Sequence, residues 1–158
     1  MISAENRDDA SQRVSARKRA ADLLARAKRS ELSAVWDALP EKPQVQPVRG
    51  PETGLVMVRG RIGGGGAAFN LGEVTVTRAS VRLDSRSVGH AQALGTDREK
   101  ARLAAMFDAL WQQEATREFV EQALLLPIEE RIAAAERRKA DETAATRVDF
   151  FTMVRGDD

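Results

Sequence analysis

The stretch of sequence that decides the fold is VTVTRASVRL, residues 74–83. β-Branched residues are frequent in it, and from residue 79 onward apolar and polar side chains alternate, which is typical of a strand with one buried face. Earlier in the run the alternation is out of step, because Val74 and Val76 fall on the same face as Arg78. A β-bulge or burial on both faces would explain this change. The pattern therefore predicts a strand of a small sheet.

A second strand is predicted upstream, at LVMV, residues 55–58. Between the two runs lie four consecutive glycines, Gly63, Gly64, Gly65 and Gly66. Four glycines stabilise neither a strand nor a helix, and they predict a hairpin connection. A phosphate-binding loop would need Gly-Lys-Ser/Thr at the start of a helix, whereas Ala-Ala-Phe follows here. The alternative role for the glycines is close approach of a ligand or a partner subunit to the backbone.

Helical patterns flank the strands on both sides. Residues 15–40 are predicted to be helical, ending at Pro40. Residues 96–144 are predicted to form helices, the first beginning with a capping box of Thr96 and Glu99. A later helix is predicted to have Pro127 in its first turn.

These segments add up to one α+β domain over residues 1–158, with a small antiparallel sheet flanked by helices. Residues 1–14 are predicted to be a flexible polar extension, and residues 44–95 hold the strands and the glycine-rich loop. Residues 147–158 are predicted to form a docked, strand-like tail.

The tail is unusually apolar for a chain end. It reads VDFFTMVRGDD from residue 148, and its large side chains include Phe150, Phe151, Met153 and Val154, followed by Arg155. Burial of each large apolar side chain is worth roughly 1.5–3 kcal/mol, so the segment is predicted to dock. It either completes the sheet of its own domain as an edge strand or contacts a partner.

Composition excludes several classes of function. With 158 residues, no cysteine and a formal net charge of +1, the chain has no thiolate chemistry and no general attraction for nucleic acid or membranes. No apolar run is long enough to span a bilayer, so a cytoplasmic protein is expected. The only histidine, His90, cannot build a metal site alone, and no catalytic constellation is evident. We therefore expect no catalytic and no metal-binding residues on this chain.

Four arginines of the strand region are candidates for anion contact: Arg59, Arg61, Arg78 and Arg82. One interpretation is a solvated face of the sheet, since charged residues are mostly exposed. The other is a clamp for a phosphate or phosphonate ester. In that case the chain would be a free-standing small-ligand binding domain or enzyme.

Long segments of the chain resemble the PhnG family, the G subunit of the bacterial carbon–phosphorus lyase system. The resemblance is carried by ETGLVMVRGRIGGGG at residues 52–66, FNLGEVTVTRA at 69–79, DAL at 108–110 and VDFFTMVRGD at 148–157. The chain departs from the family at Ala20 and Ala21, where an aromatic residue is common, and in its glycine loop. The residues before about 15 resemble an extra extension.

The resemblance implies a required but non-catalytic subunit of a cytoplasmic complex. In that system a phosphonate displaces adenine from C1′ of the MgATP ribose, giving ribose 1-phosphonate 5-triphosphate. The family pattern assigns nucleosidase-like chemistry to PhnI, with PhnH, PhnJ and the ATPase-like PhnL as further partners. An iron–sulfur cluster and S-adenosylmethionine belong to partner subunits, and no cofactor is expected on this chain. The tail and the glycine loop are then expected near subunit contacts.

Overall fold

The computed structural model describes residues 4–61 and 65–145, with side chains from residue 11 onward. The predicted tail contacts and the positions of Gly63 and Gly64 lie outside these ranges. Within them, the elements in chain order are α1 Ala4–Arg26, α2 Arg29–Asp37, β1 Val45–Gly60, β2 Phe69–Leu83, β3 Val88–Leu94, α3 Arg98–Trp111, α4 Glu114–Val120, a π-helical turn Glu121–Leu125, and α5 Leu126–Ala145. The predicted α+β class is confirmed.

The sheet is antiparallel, in the order β1-β2-β3. β1 and β2 pair from Val45↔Leu83 to Gly60↔Phe69, so the glycine-rich segment connects a long β-hairpin, as predicted. β3 pairs only with the half of β2 that lies farther from this connection, between Val76 and Arg82. The remaining part, residues 54–60 and 69–75, is a two-stranded arm that we call the distal hairpin.

The core is built around α3, which packs against one face of the sheet and against α1, α2 and α4. Alternate residues of β2 are buried on this face: Thr77, Ala79, Val81 and Leu83. α3 is buried along almost its whole length, and its Phe107 ring meets Trp36 of α2 edge-on at 6.2 Å. Val74 and Val76 lie half-buried on the opposite face of the sheet.

Of the two explanations offered for the out-of-step valines, burial on both faces applies in part, because Val74 and Val76 are half-buried on one face and Thr77 is buried on the other. A β-bulge at the valines does not apply. The register irregularities of the β1–β2 pairing fall between Pro47 and Arg49, between Arg49 and Glu52, and at Val58. The pairing through Val74 and Val76 is regular.

Two helix starts differ from the prediction. α1 begins at Ala4, because residues 4–14 contain no proline or glycine to break the helix. Helical structure thus covers most of the segment expected to be a flexible extension. The N-cap of α3 is Asp97, not Thr96: its carboxylate accepts from the backbone N–H of Lys100 at 2.9 Å. A carboxylate at this position also interacts favourably with the helix dipole.

The join between α1 and α2 is held by Glu31. Its carboxylate accepts from the backbone N–H of Lys28 at 2.7 Å and from Arg131 of α5 at 2.6 Å. Burial alone would raise the pKa of Glu31, but these two hydrogen bonds outweigh it and lower the pKa below the ordinary value. Arg131 of α5 is thus tied to α2 through this carboxylate, and it also donates to the carbonyl oxygen of Arg26 at the end of α1 at 3.1 Å.

The π-helical turn precedes Pro127, which lies in the first turn of α5 as predicted. Proline cannot donate to the carbonyl four residues before it, so the regular α-helical ladder is interrupted at this point.

Candidate functional site

A groove of about 640 Å³ opens between α1 and the sheet. Apolar side chains of α1, among them Leu24, form part of its wall. The polar residues that line it are Asp22, Arg49, Arg78, Ser80, His90 and Gln92. A depression of this volume with a few convergent polar groups has the general character of a ligand site.

The cations of this groove are partly neutralised. Arg49 Nε donates to Glu52 Oε2 at 2.8 Å, and Arg78 Nε lies 3.7 Å from the same oxygen. All three side chains are about half exposed, so the pairs are weak. Arg49, Arg78 and Glu52 together keep one net positive charge, but Asp22 also lines the groove and offsets it, so the groove does not build a phosphate cradle. Arg49 is not among the four arginines predicted from the sequence to contact an anion.

The four predicted arginines do not converge. Arg78 faces the groove, whereas Arg82 donates to Gln46 Oε1 at 2.8 Å. Arg59 is opposite Asn70 near the far end of the hairpin, and Arg61 lies just beyond it. Asn70 and Arg78 are eight residues apart on β2, a span of roughly 26 Å. One small anion therefore cannot contact all four side chains.

Behind the groove lies a buried carboxylate, Asp108 of α3, which is 1% exposed. It accepts from the backbone N–H of His90 at 2.9 Å and from Arg17 through both oxygens, at 2.9 and 3.3 Å. Gln112 Nε2 lies 3.3 Å from it. Asp108 thus joins α1, β3 and α3 at one point. An acidic residue inside the most apolar helix is the sequence signal that could have indicated this buried network. In the sequence, Asp108 was named only within the family resemblance at residues 108–110.

The His90 side chain points away from this network. Its Nδ1 lies 2.8 Å from Ser80 Oγ across the sheet, and the ring is exposed. The pair stands among the polar groups of the groove.

Other acidic groups are engaged in ion pairs between helices. Arg19 of α1 contacts Glu129 at 2.6 Å and Glu121 at 3.0 Å. The hydrogen bond from Arg19 lowers the pKa of Glu129, which keeps this carboxyl ionised. Within residues 11–61 and 65–145, no three His, Cys, Asp or Glu side chains come together in a way that could hold a metal ion. In the same part of the chain, no helix is both long and apolar enough to cross a bilayer.

The distal hairpin has the most exposed apolar surface of the described residues. Its large exposed apolar side chains are Leu55, Val56, Met57, Phe69 and Leu71. The two most exposed of these are Leu55 on β1 and Leu71 on β2, at 64% and 62%. Solvent-facing apolar residues are common singly, but a group on one projecting element marks a contact surface.

Of the predicted interface loop, the structure describes Gly65 and Gly66. Both are exposed in the connection between β1 and β2, and the carbonyl oxygen of Gly66 accepts from Arg61 Nη1 at 3.5 Å. The other predicted interface residues, namely Gly63, Gly64 and the tail residues from Phe150 to Arg155, lie outside the described ranges.

Comparison with known proteins gives two findings. The sequence model of one family, described as "Phosphonate metabolism protein PhnG", matches residues 15–156. A relative from Rhizobium meliloti (strain 1021) is 62% identical over 158 residues, which is 100% of this chain and 99% of the relative. It is called "Alpha-D-ribose 1-methylphosphonate 5-triphosphate synthase subunit PhnG".

Proposed function

Because the chain belongs to the PhnG family, we propose that it is a required, non-catalytic subunit of a ribose 1-phosphonate 5-triphosphate synthase. In the proposed reaction, an oxygen of the phosphonate forms a bond to C1′ of the MgATP ribose. The bond from C1′ to the adenine nitrogen breaks, and adenine leaves with a proton. The reaction belongs to the breakdown of organic phosphonates.

The observation that carries this proposal is the match to a named synthase subunit over essentially the whole of both chains. Two features of the described residues support a subunit rather than a free enzyme. Asp108 and Glu129, which could otherwise act as acids or bases, are engaged by arginines. The distal hairpin also presents apolar side chains that its own domain leaves in solvent.

We further propose that the bond-making groups belong to partner subunits. PhnI is the proposed site of nucleosidase-like chemistry, with PhnH, PhnJ and PhnL as the other partners. The iron–sulfur cluster and S-adenosylmethionine are proposed to serve a later step on a partner. Since the proposed reaction consumes MgATP, we propose the cytoplasm as its compartment.

The contact surfaces are proposed to include the glycine loop, Gly63 to Gly66, and the tail residues Phe150, Phe151, Met153, Val154 and Arg155. Gly65 and Gly66 lie at the end of the distal hairpin, next to its exposed apolar residues, which supports the loop as part of a contact. The alternative of an enzyme with an arginine clamp is less well supported, because Arg59 and Arg78 are far apart on the hairpin.

Reconstitution tests the proposal. Partner subunits are mixed with ATP and an alkylphosphonate, with and without this chain, and products are separated by ³¹P NMR. We expect the ribose 1-phosphonate 5-triphosphate only when the chain is present, and at most ribose triphosphate from hydrolysis without it. Formation of the phosphonate product at the same rate without the chain would refute a required role. Turnover of ATP or phosphonate by the chain alone would refute a non-catalytic one.

A further inference from the structure

The outer edge of β1 is unevenly protected against pairing with another strand. Its first half contains Pro47 and Pro51, which lack the N–H that a neighbouring strand needs. The two register irregularities between Pro47 and Glu52 also bend this half. Prolines and bulges are the usual means by which edge strands avoid pairing with other chains.

The second half of β1, residues 54–60, is much less protected, with a single register irregularity between Val58 and Arg59. It contains no proline and no lysine, and its pairing with β2 is regular from Gly54↔Val76 to Val58↔Gly72. In the described parts of the chain, β1 is the first strand of the sheet, so nothing pairs with its outer edge. This length is about that of an ordinary strand, which is enough to template one more.

Both faces of this edge are apolar. Leu55 and Met57 project on one face and Val56 on the other, and all three are exposed. A strand added here would therefore gain main-chain hydrogen bonds together with apolar contacts on both faces.

The charges beside the edge indicate what kind of strand fits. Arg59 is exposed and has no ion pair among the described residues. Among the same residues, the hydrogen bond that Arg61 makes is the 3.5 Å contact with the Gly66 carbonyl. A second copy of this chain would pair poorly. The only carboxylate on β1 is Glu52, and Arg49 and Arg78 already share it.

We propose that the outer edge of β1, residues 54–60, accepts an extended strand of a different subunit. This inference rests on the proposed function as a subunit. The partner strand has apolar residues on both faces and a carboxylate that reaches Arg59 or Arg61. The pairing gives the affinity, and the carboxylate fixes the register.

Two double variants with the same charge change test this proposal. Leu55→Lys with Met57→Lys places lysines on the unprotected edge, as many natural edge strands do. Val14→Lys with Val48→Lys is the control: Val14 lies on α1 and Val48 on the protected half of β1, and both are exposed. Thermal unfolding of each purified full chain checks that it folds.

Binding to the partner subunits of the proposed synthase is then measured by titration. We expect the edge variant to bind about tenfold or more weakly, as for residues that dominate an interface. The control should stay within about twofold, as expected for positions outside a contact. In hydrogen exchange on the wild-type chain, peptides that cover residues 54–60 should gain protection on assembly, whereas those from 45–51 should not.

Several results would overturn the inference. The first is equal binding by the two double variants, or no gain of protection at 54–60. Protection of this edge in the isolated monomer would mean that the chain covers it itself. A dimer of the isolated chain with the same protection would mean that a second copy covers this edge. If wild type binds no partner, the proposed function fails as well; if wild type and the edge variant bind equally, only the edge assignment fails.

Discussion

Replacing Gly89 with alanine should force β3 away from α3. A Cβ built on Gly89 overlaps the carbonyl oxygen of Ala105 and lies 2.6 Å from the backbone nitrogen of Ala109. Both atoms belong to the backbone of α3, so no side chain can rotate to make room. The Ala109 contact alone is about 0.9 Å short of an ordinary distance near 3.5 Å, and the Ala105 contact is shorter still, so relief requires β3 and α3 to separate by more than about 1 Å. A gap of this size forfeits about half or more of each dispersion contact across the strand–helix interface.

The expected cost is about 3 kcal/mol, at the upper end of the range for overpacked cores. For a domain of this size, such a loss corresponds to a fall of roughly 6–12 °C in Tm. Urea denaturation of the full chain, followed by circular dichroism, measures the free energy of unfolding directly.

Gly54→Ala is the matched control, because a Cβ at Gly54 meets no atom within 4 Å. It should change the free energy of unfolding by no more than about 0.5 kcal/mol, or stabilise the chain slightly through the unfolded state. The reasoning is refuted if Gly89→Ala and Gly54→Ala have the same stability. That result would mean that β3 and α3 separate at no cost.

Two further predictions concern buried and half-buried carboxylates. Asp108→Ala should cost about 3 kcal/mol in urea denaturation, since it leaves the part-buried N–H of His90 and the Arg17 guanidinium without their acceptor. Arg17→Ala should cost about 1 kcal/mol, because Asp108 keeps the His90 N–H and Gln112 as donors and the half-exposed position of Arg17 lets water replace the guanidinium. Equal losses would show that the ion pair, not the buried hydrogen bond, carries the effect. Glu31 has a lowered pKa when folded, so its contribution to stability is present above its ordinary value of 4.5 and is lost as the pH falls below it. In denaturation series run from neutral pH to below 4.5, Glu31→Gln should therefore lose less stability on acidification than wild type, and parallel curves would contradict the assignment.

Sequence pattern was sufficient for the elements whose cause is local. The alternation in residues 79–83 and the glycines after residue 62 place the hairpin, and helical spacing places α3. The exact start of α3 was missed by one residue, because Thr96 and Asp97 are both good N-caps and the carboxylate is the better acceptor beside a helix dipole.

What the sequence could not predict depends on partners far apart in the chain. Asp108 is buried because Arg17, 91 residues earlier, and the N–H of His90 converge on it. The arginine candidates were chosen by residue type, and only the strand register shows that Arg59 and Arg78 are far apart. Long-range geometry of this kind leaves no periodic signal in a single sequence.

The distal hairpin shows a different limit of pattern reading. The residue types of Leu55, Val56 and Met57 predicted a strand, and the strand forms, yet all three side chains are exposed. Fully burying an exposed leucine is worth roughly 1.5–3 kcal/mol, but the chain gains only part of this while the hairpin stands alone, because Leu55 is 64% exposed. Substitutions in the distal hairpin should consequently weaken assembly and leave folding stability almost unchanged. Substitutions in α3 should do the reverse. An apolar run in one subunit of a complex therefore predicts burial without indicating which chain provides the cover.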